Sequence, residues 1–219
     1  MHIEFDLLAN AQDSIRHAID SLTWKDEANE ARRLKQAIRD VAHGVELLLK
    51  EKLRRVHPVL IWENIDKFPN LGARTVTVDT AVSRLARIGG LKFDPHDVEL
   101  ITALRDTRNA VEHYAWKTTK LEAERVVGEA LGFAVYFAKE ELGIDFLGYA
   151  EHREGTVEAL MEGSYAFASA FRARYERSAR EKGEFATLCD YCGAIAVNLA
   201  GACKACGHWQ TSDKDEIPF

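Results

Sequence analysis

The sequence predicts an all-α protein: an antiparallel bundle of four long helices with extra helices, followed by a small C-terminal module pinned by four cysteines. Three observations carry this. Apolar residues recur at three- and four-residue spacing over most of the 219-residue chain. Proline and glycine cluster only between those stretches. All four cysteines fall at the C-terminal end, as two CxxC pairs.

The elements follow in order. Residues 5–24 carry Phe5, Leu8, Ile15, Ile19 and Leu22 at helical spacing. Ala28 to about Val56 repeats Leu34, Ile38, Val41, Val45, Leu48 and Leu49, an unusually long amphipathic helix. HPVLIWENIDKFPNLG breaks the pattern, TVTV at 75–78 reads as extended, and DTAVSRLARIGG reads as a short helix capped by Asp79 and ended by Gly89 and Gly90. The third long helix opens with Asp94 as N-cap and Pro95 at its first position, and is expected to reach Trp116. Thr118 or Thr119 caps a fourth helix ending near Gly143. A further helical stretch from Phe146 to about Lys182 has breaks expected at Gly155 or Gly163. The domain reading is therefore a bundle over 1–145, a helical extension over 146–184, and a cysteine module over 185–219.

Composition narrows the function. A net charge of −6 excludes a protein that coats nucleic acid by bulk electrostatics, and leaves room for a small, directed basic site. MHIEFD has no basic leader followed by an apolar run, and no stretch reaches the roughly 20 apolar residues of a membrane span, so a cytoplasmic location without membrane contact is expected.

CDYCG and CKACG, with Cys189, Cys192, Cys203 and Cys206, have the CxxC-x10-CxxC spacing of a two-knuckle ribbon. Four thiolates leave no open position, so one structural Zn2+ per chain is expected. An iron site uses similar knuckles, but the small loop and short hairpin expected from AIAVNLAGA favour zinc. His208 is an alternative ligand that four cysteines make unnecessary. Lys204, His208 and Lys214 are balanced by Asp190, Asp213, Asp215 and Glu216, which favours protein docking or structural bracing over nucleic-acid binding.

The segment RDTRNAVEHYAW, residues 105–116, carries the other candidate chemistry. On a helical wheel Leu100, Leu104, Thr107, Val111 and Tyr114 form the core face. Arg105, Asn109 and His113 then align on the opposite face with Trp116 beside them, and Arg108 sits on the flank. A tryptophan on that face suggests a second copy covering it. Each residue also has a plain structural role: an i, i+4 ion pair to Glu112 for Arg108, a packing or capping amide for Asn109, and a solvated helix end for His113.

Arg108-Asn109-Ala110-Val111-Glu112-His113 resembles the R-x4-6-H motif of the HEPN family, and GVELLLKEKLRRVHPVLIW resembles the second helix of bacterial members. The resemblance covers about residues 1–145. It implies a HEPN-like bundle, a homodimer pairing two motifs across a two-fold axis, and metal-independent endoribonuclease activity. RNA is then the substrate, tRNA among the candidates, in a toxin, stress or anti-phage role with an antitoxin or defence-system partner protein. Members modified by a partner nucleotidyltransferase resemble R-x4-H-x-Y; here Tyr114 directly follows His113 and Ala115 takes the tyrosine's place, so that regulation does not carry over.

Side-chain chemistry agrees with this. Metal-free RNA cleavage requires a base for the 2′-hydroxyl, an acid for the 5′ oxygen and a fixed cation for the charge on phosphorus. Histidine changes charge near neutrality and suits either proton role; arginine's planar fork suits the phosphate. Arg108, Asn109 and His113 are the candidate catalytic residues, with Glu46, on the flank of the second helix, as a group that orients Arg108 or His113. His43, His57 and His96 read as structural, and Arg172, Arg174, Arg177, Arg180 and Lys182 around Tyr175 as a solvated surface. The reading from a different class is a non-catalytic dimer that binds RNA or protein, with the ribbon as docking surface.

Overall fold

A computed structural model describes residues 6–23, 27–147, 156–184 and 186–211. Phe5, Trp24, Gly155, Asp213, Lys214, Asp215 and Glu216, which figure in the sequence reading, lie outside the described residues.

Helix α1, Leu7–Thr23, buries Ala11, Ile15, Ala18, Ile19 and Leu22, the stripe expected from its periodicity. Asp6 starts it, its carboxylate accepting from Ala9 N at 2.6 Å. Helix α2, Glu30–Val56, is buried along Leu34, Ile38, Val41, Val45, Leu48 and Leu53. It stops where His57 turns extended before Pro58. Gly44 lets α1 and α2 approach closely: a Cβ there would lie 2.5 Å from Ile15 Cδ1.

Helix α3, Val78–Arg87, begins earlier than expected. Thr77 is its cap, accepting from Thr80 N at 3.3 Å, and Asp79 inside the first turn pairs with Arg105 instead. Only Thr75 of the TVTV stretch pairs as extended chain, in a bridge to Trp62. Helix α4, Pro95–His113, has the expected Asp94 cap. It ends three residues before Trp116, because Tyr114 is extended (φ −136°, ψ 175°). Helix α5, Lys120–Phe137, is capped by Thr119 and continues through a wider turn, Ala138–Leu142, to Gly143 at φ 71°. Helix α6, Thr156–Gly163, and helix α7, Tyr165–Lys182, are split at Ser164, which caps α7 by accepting from Phe167 N.

Helices α2 and α5 pack together at the centre, with α1 and α4 each against both. Helix α7 lies along α5, so residues 165–182 belong to the same core, which includes Phe167, Phe171 and Tyr175. Small residues permit the close approach: Cβ atoms on Gly128 and Gly132 would lie 2.7 Å from Phe167 N and 3.1 Å from Ala170 Cβ.

The basic run on α7 is a solvated surface only in part: Arg180 and Lys182 stay exposed, paired with Glu176 and Glu140, whereas Arg174 and Arg177 turn toward α4. Arg174 is 5% exposed, donates to Asp97 in the first turn of α4 at 2.6 Å, and lies over the Phe133 ring. Arg177 pairs with Asp94, and Arg172 donates to Cys192 O at 2.9 Å. Burial of Tyr175 and the aromatic row Phe167, Phe171, Tyr175 turned this face inward, which charge counting along the helix did not reveal.

Strands β1, Thr187–Leu188, and β2, Ile195–Val197, form the antiparallel hairpin of the cysteine module. Its apolar side is continuous with the helical core through Ala194, Ala196 and Val197. No helix among the described residues is long and apolar enough to cross a membrane.

Candidate functional sites

The cysteine cluster is built by two similar turns. Gly193 N donates to Cys189 O and Gly207 N to Cys203 O, both at 2.9 Å. Both glycines have left-handed backbones, φ 70° and 79°, which explains glycine after each second cysteine. All four cysteines are buried and free of disulfides, and their sulfurs lie within 4.8 Å of one another. Ligands about 2.3 Å from a tetrahedral ion stand about 3.8 Å apart. The Cys189/Cys206 and Cys192/Cys203 sulfurs are each 3.8 Å apart. The donor set therefore fits a metal ion. His208 turns away to Asp190, at 3.0 Å, and stacks on Tyr191.

The second site is a cleft of about 290 Å³ between α2 and α4. It gathers Glu46, Arg108 and Asn109, three of the four residues singled out by sequence, with Arg39, Asp40, His43, Arg105 and Glu112. Glu112 organises its floor: Arg108 Nε is 2.7 Å from one carboxylate oxygen and Arg39 Nε 2.9 Å from the other. The expected i, i+4 pair thus forms, and a cation from α2 shares it. Arg108 also donates to Asn109 Oδ1 at 3.3 Å. Glu46 does not meet Arg108 or His113 directly; it accepts from Lys50 Nζ at 2.5 Å, and Lys50 donates onward to Thr75.

His113 lies outside the cleft lining, on the last, exposed residue of α4, with Nε2 4.0 Å from Glu112. Trp116 departs from its expected place. Because the chain leaves the helix at Tyr114, Trp116 folds back to pack half-buried on the chain's own core, and Tyr114, assigned to the core face, is 77% exposed. No second copy is needed to cover the tryptophan.

Sequence reasoning missed Asp40 and His43. Asp40 Oδ2 is buried without a hydrogen-bond partner, and burial raises its carboxyl above the ordinary value despite a hydrogen bond from Gln36 and nearby positive charges. His43 follows Asp40 by three residues, just under one helical turn, and lines the same cleft. The i, i+3, i+6 spacing of Asp40, His43 and Glu46 along α2 was the available signal.

No family model matches the chain, and no curated protein or solved structure does.

Proposed function

We propose that the protein is a metal-independent endoribonuclease of HEPN type, working as a homodimer, with zinc bracing its C-terminal ribbon. The observation that carries this is the α2/α4 cleft, which joins Arg108, Asn109 and Glu46 to further cations, Arg39 and Arg105. A phosphodiester entering the cleft meets two guanidinium groups tethered by Glu112, so the planar donors are oriented before substrate arrives. His113, exposed beside them, is free to carry a proton to or from RNA. A two-fold copy laid over this face adds a second His113, dividing the acid and base roles. Asn109 orients the Arg108 fork, and Glu46 acts from a distance through the charge it shares with Lys50.

Cys189, Cys192, Cys203 and Cys206 hold the zinc in this reading. A closed set of four thiolates supplies structural bracing. The hydrogen bonds from Arg172 to Cys192 O and Lys139 to Ala205 O tie that brace to α7 and to the turn after α5.

One observation favours a binding module: Arg108 is already engaged by Glu112. The two readings separate when purified protein meets total RNA and tRNA in EDTA beside His113→Ala. Fragments ending in 2′,3′-cyclic phosphate and 5′-hydroxyl, absent with the variant, support the nuclease. RNA retained intact but bound supports the module.

A further inference from the structure

A concavity beside the cleft holds about 580 Å³, within the roughly 300–1,000 Å³ of small-ligand sites. It opens where the chain leaves α4. Leu34 and Ile38 of α2 supply an apolar floor, Tyr114 and Trp116 aromatic walls, and Lys35 and Lys117 exposed cations at the rim. Glu30, the carboxylate in the lining, is already engaged by Lys120.

Its position relative to the cleft follows from the sequence. Ile38 lines the pocket and Arg39 the cleft; Val111 lines the pocket and Glu112 the cleft. The Arg39 to Glu112 ion pair, 2.9 Å, therefore crosses from α2 to α4 on the boundary between them. A polymer whose phosphate lies in the cleft has its neighbouring unit at the pocket.

We infer that this pocket binds one nucleotide of single-stranded RNA, its base stacked against Tyr114 and Trp116 and its phosphate held by Lys35 and Lys117. The inference rests on the nuclease reading for its substrate and extends it to a second subsite. Three features select this occupant. Tyr114 exposes 77% of its surface, an aromatic face left open by the described residues. Lysines crowd the rim of a chain whose net charge is −6, against the trend of the whole surface. An apolar floor below a cationic rim matches the division of a nucleotide into a flat base and a charged backbone. A base inside a duplex has its faces covered by the neighbouring base pairs, so it has none to stack on these side chains, and duplex RNA is excluded from the pocket.

The test separates binding from cleavage. Full-length protein is titrated into a fluorescein-labelled 2′-O-methyl oligoribonucleotide, which lacks the hydroxyl that attacks, and the affinity is read by anisotropy. Tyr114→Ala and Lys117→Ala are each expected to weaken single-strand binding about tenfold, in the range of a lost base stack or phosphate contact. Both side chains are exposed, and unchanged thermal melts verify that the variants remain folded. Binding of the parent should quench tryptophan emission, and Trp116→Phe should remove that quenching while Trp24, Trp62 and Trp209 remain. Unchanged affinity in both variants overturns the subsite, as does equal binding of the duplex. A parent that binds no oligonucleotide overturns it too, and a change of molecular mass in light scattering with Tyr114→Ala assigns the pocket to a contact between copies instead. Cleavage of unmodified RNA by the parent is measured in parallel: loss of affinity in the variants without any cleavage by the parent retains the pocket and removes the nuclease.

Discussion

The cysteine module and the α2/α4 cleft are two ways of assembling a site. In the module, the outermost ligands, Cys189 and Cys206, are only 17 positions apart, and two glycine turns with matching backbone hydrogen bonds set their direction. In the cleft, Arg39 and Glu112 meet across 73 positions, and only the packing of α2 against α4 brings them together. The first geometry is local and all-or-none. The second is distributed, so single changes alter it by degrees.

Cys203→Ser sharpens this contrast and carries the largest expected effect. Structural zinc contributes on the order of 10 kcal/mol to small ribbons, so the variant should lose its metal and the ordered structure of residues 187–211. Because Ala194, Ala196 and Val197 share the helical core, the loss should extend into α7 near Phe171 and Tyr175. Elemental analysis and amide hydrogen exchange check both. A ribbon that stays protected without metal removes the zinc assignment.

Arg174→Ala tests the link between the two regions. Its partner Asp97 on α4 has a side chain only 13% exposed, so removing the guanidinium leaves a largely desolvated carboxylate unpaired and should cost up to about 3–5 kcal/mol, read by urea denaturation. A cost below ~1 kcal/mol shows that water reaches Asp97 and that the Arg174 pair adds little to the apolar packing of α7.

How much of this was readable beforehand differs between the regions for the same reason. Cysteine spacing specifies the module because the turns that use it are short, and Asp94-Pro95 announced the start of α4. The end of α4 was misread because helical periodicity was extended past the residue where the backbone turns. Tyr114 moved from core to solvent, and Trp116 from an open face to a half-buried place against the core. The Arg108 to Glu112 pair was legible as an i, i+4 contact, whereas Arg39 on the same carboxylate was not. The spacing of His43 between Asp40 and Glu46 on α2 was legible, but the cleft it lines exists only once α4 packs against α2.

Asp40 gives the smallest effect and the finest probe of the cleft. Burial holds its carboxyl above the ordinary 3.8, so the folded chain retains this proton more tightly than the unfolded chain does. Stability is consequently lost as pH rises from that ordinary value through the raised folded one, and the loss is complete above both. Asp40→Asn should be more stable than the parent at neutral pH, with the advantage shrinking as acid protonates the parent. Denaturation midpoints over that pH range check the sign; an advantage that grows toward acid contradicts the burial of Asp40.

In the proposed nuclease, Arg108 and His113 perform the chemistry with side chains alone. The most direct measurement of this is the rate of RNA cleavage in EDTA by the parent, Arg108→Ala, Asn109→Ala and His113→Ala. The expected result is undiminished cleavage by the parent, a loss of roughly 100-fold or more for Arg108→Ala and His113→Ala, and a smaller loss for Asn109→Ala. Cleavage that requires added Mg²⁺, or alanine variants that cut like the parent, contradicts it.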